Sequence, residues 1–193
     1  MSRGETRSKT PKPETGGLPR ALVVVIVAIN ALGIGLILPV MPDLLKQVGE
    51  VDIARAAAIG GFLSLSFAAM QVLFGPLLGA LSDQFGRRSV LLVSLVSSGI
   101  DYAILATSNV LWLFFLVRVL SGVSSATFSV ANAALADVST PDKRAANFGL
   151  TNAAFGIGFV LGPVVGGVLG EFGPRAPFVV AAILCFGASA LCW

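Results

Sequence analysis

Gly79-Ala80-Leu81-Ser82-Asp83-Gln84-Phe85-Gly86-Arg87-Arg88 carries three charges within six residues, between two apolar runs at 56–81 and 89–107. In a soluble domain such a segment would be an ordinary surface turn. Its flanks decide otherwise. Each run holds on the order of 20 residues, enough at ~1.5 Å of rise per residue to cross the hydrocarbon core of a bilayer. The segment is therefore a short loop at a membrane surface. Gly79 and Gly86 permit close helix approach and a tight reversal. Asp83 is placed to cap or pair, and Arg87 and Arg88 mark a cytoplasmic face.

Composition agrees: 55% of the residues are hydrophobic and 12% charged, which is the balance of a membrane protein. The net charge of +3 comes from basic residues scattered over loops, a topology signal with no basic–aromatic stripe for nucleic acid. The absence of histidine excludes a His-based metal site or catalytic triad. Cys185 and Cys192 fall seven apart in one apolar run, a spacing that a disulfide within a helix cannot bridge, so both read as small apolar fillers. No nucleophile–base pair, metal cluster or phosphate-binding loop is legible, which argues against an enzyme and against a resident cofactor or metal.

Residues 1–20 are polar and proline-containing, and read as a disordered cytoplasmic tail. The rest, 21–193, reads as one all-α membrane domain. Six apolar runs are predicted as spans, at about 21–42, 57–81, 89–107, 110–136, 148–170 and 176–193. With the amino terminus inside, the cytoplasmic segments hold nine Lys/Arg and the outer loops three, which sets the orientation.

An internal repeat supports the count. Residues 74–86 (FGPLLGALSDQFG) align with 161–173 (LGPVVGGVLGEFG). Gly75-Pro76 matches Gly162-Pro163, Gly79 matches Gly166, and Phe85-Gly86 matches Phe172-Gly173. The copies lie three spans apart and so run in opposite directions, the pattern of inverted three-helix repeats in secondary transporters.

Few polar groups lie within the spans. Asn30 either hydrogen-bonds a substrate in a central cavity or bonds across to another helix, and Gln71 poses the same question. Asp101 costs at least ~2.5–3.5 kcal/mol if left ionised in hydrocarbon, so it is expected to face a cavity or a partner and to exchange protons. Arg118 lies as far after the turn near Asn109 and Val110 as Asp101 lies before it, so the two share a depth and are candidates for an ion pair. The alternative is that Arg118 snorkels outward alone. Asp137, Asp142, Lys143 and Arg144 read mostly as a solvated interface cluster. Gly158, Gly162, Gly166 and Gly170 form a bare ridge at four-residue spacing, suited to close backbone approach, with Pro163 beside it to bend the helix.

These residues resemble the major facilitator superfamily. Gly79-x-Leu81-x-Asp83-x-x-Gly86-Arg87-Arg88 looks like its loop motif between helices 2 and 3. Leu32-Gly33 with Pro39-Val40-Met41-Pro42 looks like the helix 1 motif of drug–proton antiporters, and Arg118-x-x-x-Gly122 resembles the helix 4 motif assigned to proton transfer. Gly149, Gly158, Gly162-Pro163 and Gly166-Gly167 match the helix 5 antiporter motif. Within that group, GIGLILPVMP, GALSDQFGRRSVLL, DYAILATSNVLW and FGIGFVLGPVVGG are most similar to bacterial tetracycline–proton antiporters.

The resemblance implies a multi-pass protein of the bacterial inner membrane that exports a metal–tetracycline chelate against proton entry. A divalent cation is then needed only as part of the substrate. The resemblance also places Asp83 and Arg87 in a cytoplasmic gate, Asp101 and Arg118 in substrate or proton handling, and Gln71 along the central path. Asn30 stands where those carriers usually have an acid, and Gln84 where they tend to have Arg. Carriers of this family have two six-helix halves around a central site. The six predicted spans correspond to one half, the sixth reaching residue 193, so a truncated or partial chain is expected, needing a second half or another copy for a full pathway. The rival readings are export of another amphipathic compound and a transport-inactive membrane fragment.

Overall fold

A first span reading Val23-Val24-Val25-Ile26-Val27 has little intrinsic reason to be helical in water. In hydrocarbon every backbone N–H and C=O must find a partner within its own segment, and that constraint overrides side-chain propensity. A computed structural model describes residues 19–193. The tail predicted over residues 1–20 therefore lies outside the described residues, apart from Pro19 and Arg20.

The described residues form α1 (Arg20–Ile37), α2 (Met41–Gly49), α3 (Ile53–Phe85), α4 (Arg87–Thr107), α5 (Leu111–Ser124), α6 (Thr127–Asp137), α7 (Pro141–Gly170) and α8 (Ala176–Cys192). They make six passes, with α5 and α6 sharing the fourth. Five of the passes are long and apolar enough to cross a membrane, and α8 is a shorter apolar helix of 17 residues.

Helix boundaries depart from the hydropathy runs in three places, each for a physical reason. The first run was expected to reach residue 42, but α1 stops at Ile37 ahead of Pro39, whose ring cannot continue the helix. The chain then forms α2, a short amphipathic helix that buries Met41, Leu44 and Leu45 and ends on Glu50 at φ 49°. Helices α3 and α7 begin before their apolar runs, and α3 also outlasts its run. Asp52 caps α3 by accepting from the Arg55 amide at 3.2 Å, and Pro141 opens α7, so both continue beyond the lipid-facing segment. The fourth pass breaks at Ser125 and Ala126, which leave helical geometry.

Packing follows the repeat. Helix α1 lies along α7, α5 and α6 lie along α3, and α4 packs on α8. Exchanging passes 1–3 with passes 4–6 maps the first two contacts onto each other and the third onto itself, as an inverted repeat requires. Two apolar clusters fill the interior. One gathers Leu36, Leu44, Leu63, Leu105, Phe114 and Phe178, and the other Val23, Ile26, Leu91, Leu95 and Val130. At one end Arg20 donates to the Val138 carbonyl at 3.3 Å. At the other, Arg175 donates to the carbonyls of Ala106, Thr107 and Ser108 at 3.2 Å, supplying positive charge where the dipole of α4 ends.

Candidate functional site

Helix α4 carries Asp101 and α5 carries Arg118, and both are buried. Arg118 Nη1 lies 3.5 Å from Asp101 Oδ2. The structure thus joins the two ionisable groups that the sequence placed at one depth. The guanidinium carbon of Arg118 also sits 5.7 Å from the Phe67 ring centroid and 6.0 Å from that of Tyr102, within cation–π range. The pair is not fully satisfied, since Asp101 Oδ1 and Arg118 Nε and Nη2 make no hydrogen bond among the described residues. Removing one partner of such a pair leaves an uncompensated buried charge, at a cost of about 3–5 kcal/mol.

Arg118 and Tyr102 border an open pocket of about 370 Å³ that is also lined by α1, the start of α2 and α3, including Ile34, Met41, Gly60 and Phe67. Gln71, expected along the central path, is exposed on α3 and reaches across to the break in the fourth pass. Its Nε2 donates to Ser125 Oγ at 3.3 Å and to the Ser125 carbonyl at 3.5 Å. Ser94 holds the same break from α4, donating to the Ser124 carbonyl at 2.6 Å and accepting from the Ala126 amide at 3.2 Å. Asn30 is buried on α1, but its side chain makes no hydrogen bond to another helix among the described residues.

The charged loop forms a second cluster at the end of the molecule that holds Arg20. Gly86 adopts φ 89° between α3 and α4, a conformation that glycine takes without strain. Arg87 pairs with Asp83, donates through Nε to Asp137 Oδ2 at 3.0 Å, and donates to Ser82 Oγ. A cation on the first residue of α4 opposes the helix dipole, and the two carboxylates offset it. Asp83 therefore pairs; it caps nothing. Both carboxylate partners are mostly exposed, so each contact contributes at most about 1 kcal/mol. Such a latch ties α3, α4 and α6 together by weak, exposed contacts. Arg88 points elsewhere, donating to the Cys192 carbonyl at the end of α8.

Asp137, expected in a solvated cluster, belongs to this latch instead. The signal was available, because the loops after passes 2 and 4 fall on the same side of the membrane. Asp142, Lys143 and Arg144 are exposed, as expected of a solvated cluster. Cys185 and Cys192 are buried free thiols.

On α7, Gly158, Gly162 and Gly166 face the backbone of α1, where an added Cβ would lie 2.5 Å from Ala28 O, 2.5 Å from Gly35 Cα and 2.2 Å from Leu36 O. Gly170 continues the ridge toward Val40. Gly149 and Gly167 lie off it, with open space around them, and Pro163 sits inside the helix against Gly35.

Similarity to known proteins matches this geometry. The Major Facilitator Superfamily pattern covers residues 23–193. The chain is 47% identical over 167 residues to "Tetracycline resistance protein, class D" of Salmonella ordonez, covering 86% of this chain and 42% of that protein. It is 49% identical over 166 residues to the class C protein of Escherichia coli, covering 85% of this chain and 41% of that one. The chain thus spans about two-fifths of the length of these curated relatives. Among solved structures, the human organic anion transporter MFSD10 (TETRAN) superposes with a TM-score of 0.75 at 26% identity, covering 90% of this chain and 46% of that one. These relatives are membrane transporters, not enzymes. Matched to that family's pattern over nearly all of its described length, this six-pass chain belongs to the Major Facilitator Superfamily.

Proposed function

We propose that this chain supplies one half of a proton-coupled drug exporter of the bacterial inner membrane, with a cytoplasmic amino terminus and tetracycline, as its metal chelate, the leading substrate. The observation that carries the reading is the buried Asp101–Arg118 pair at the edge of the pocket between α1 and α3. A proton arriving at Asp101 removes the charge that holds Arg118. A cationic metal chelate drawn to the same carboxylate would compete with that proton for one group, which is the requirement for antiport by alternating access. The latch of Asp83, Arg87 and Asp137 closes the cytoplasmic end in one state and parts in the other. The ridge of Gly158, Gly162 and Gly166 keeps α1 and α7 moving as one body.

No resident cofactor is called for, because a divalent cation would travel with the substrate. The pocket needs an opposite wall, which a second half or another copy would supply. A specific observation supports a second reading. Asn30 is buried without a charge where tetracycline carriers usually have an acid, which favours another small amphipathic compound exported by the same machinery.

The test is proton-driven uptake into inverted membrane vesicles carrying the chain together with a complementary second half, with radiolabelled tetracycline and magnesium. Uptake that a protonophore collapses, and that Arg118→Gln abolishes, is expected. Unchanged uptake by Arg118→Gln removes the assigned role. No uptake by the wild-type chain favours a transport-inactive fragment.

A further inference from the structure

Asp101 has two faces, and the ion pair uses one. Its Oδ2 meets Arg118, while Oδ1 makes no hydrogen bond among the described residues. On the side away from the pocket between α1 and α3, Asp101 and Ser121 line a separate groove of about 490 Å³ between α4 and α5. Ser121 Oγ is likewise unpartnered, and each residue is only 2% exposed. Apart from Ser97, whose hydroxyl pairs with that of Ser124, the remaining walls are aliphatic, and Val93, Val96, Ile100 and Leu120 are open to the surroundings. An apolar trough of this size with two buried, unsatisfied oxygens along it has the make-up of a small-ligand site.

We propose that the groove between α4 and α5 is a membrane-side site for an amphiphile with a protonated amine head, whose nitrogen lies against Asp101 Oδ1 and Ser121 Oγ. Charge complementarity selects this occupant. A primary ammonium brings three N–H donors and a positive charge to a carboxylate oxygen that has no hydrogen-bond partner. An anionic head would face Asp101 with like charge, and an alcohol would bring one donor and no charge. The alkyl chain lies along Val96, Ile100 and Leu120, which are open to lipid, so the ligand arrives from the bilayer. Once bound, it shares Asp101 with Arg118 and loosens the hold on the guanidinium from behind. That consequence rests on the exporter reading above, whereas the binding itself does not.

The experiment uses the purified chain in phosphatidylcholine nanodiscs, with empty nanodiscs as the partition control. Binding of dodecylammonium, dodecanol and dodecyl sulfate is measured by equilibrium dialysis. Saturable binding of one dodecylammonium is expected, at least tenfold tighter than either other amphiphile. Asp101→Asn and Leu120→Trp should each weaken it at least tenfold. The second variant fills the groove at an exposed position and leaves the ion pair in place, so it decides the matter if Asp101→Asn does not fold. Equal partitioning of the three amphiphiles, or wild-type binding by Leu120→Trp, overturns the site. If that happens while Arg118→Gln still abolishes uptake, the groove falls and the exporter reading stands. Selective binding with uptake unaffected by Arg118→Gln gives the reverse.

Discussion

The two copies of the repeated segment share their Gly-Pro and Phe-Gly pairs and a further glycine, yet have opposite surroundings. In α7, Gly162 and Gly166 are pressed against the backbone of α1, with no room for one more carbon. In α3, the equivalent Gly75 and Gly79 have nothing within 4 Å of where a Cβ would be. The corresponding contact in the other half of the repeat is still close, but its glycine comes from the opposite helix. Gly122 of α5 packs on α3, where a Cβ would lie 2.6 Å from Phe67 O. A glycine shared by two repeats therefore does not imply a shared role. One copy is a backbone lock, while the other leaves a bare helix face with exposed Val72, Leu73 and Leu77 beside it. What ties the open copy down is the charged end, Asp83 with Arg87 and Asp137.

Between the two copies, the largest effect should come from Gly166→Ala. Its new methyl carbon would lie 2.2 Å from the Leu36 carbonyl oxygen, so α1 and α7 must separate. Overpacking usually costs about 1–3 kcal/mol, and a clash with rigid backbone belongs at the upper end or beyond. Thermal unfolding in detergent checks this, and a wild-type midpoint would show that the ridge is not a lock. Gly122→Ala should cost somewhat less, about 1–3 kcal/mol by the same assay, because Met70 and Phe67 lie on a helix with few other neighbours. Ser94→Ala removes two of the hydrogen bonds that hold the break in the fourth pass, and about 1–2 kcal/mol of stability should go with them. Faster hydrogen exchange at Ala126 should accompany the loss.

Asp137→Asn should cost less than about 1 kcal/mol, since the partner contact is exposed. It should nonetheless raise maleimide labelling of a cysteine placed at Ser82, because the latch is then held by Asp83 alone. The smallest effect belongs to Gly79→Ala, the counterpart of Gly166→Ala. Open space should leave stability unchanged or raise it by up to about 1 kcal/mol through helix propensity. A loss equal to that of Gly166→Ala would erase the distinction between the copies.

How much of this was legible beforehand follows from the kind of force involved. The spans were readable because lipid imposes a length and a polarity on the chain, and the inverted repeat because its Gly-Pro and Phe-Gly pairs survive in both copies. The meeting of Asp101 and Arg118 could be anticipated from equal distance to one turn. The break at Ser125 and Ala126 could not, because the groups that make it tolerable, Ser94 and Gln71, lie on other helices. Helix α2 was hidden for another reason: its apolar residues merged with the end of the first run. Asp137 and Arg88 show the limit of reading charge by loop. Both lie at the expected surface, yet one completes the latch and the other secures α8.

The account turns on whether Asp101 and Arg118 are energetically paired, and a double-mutant cycle measures that directly. Asp101→Asn, Arg118→Gln and the double variant would be unfolded thermally in the same detergent. Paired groups predict that the double variant loses at least about 1 kcal/mol less than the two single losses added together. Losses that add to within about 0.5 kcal/mol would mean that the two charges do not feel each other, and the ion pair at the centre of this description would be wrong.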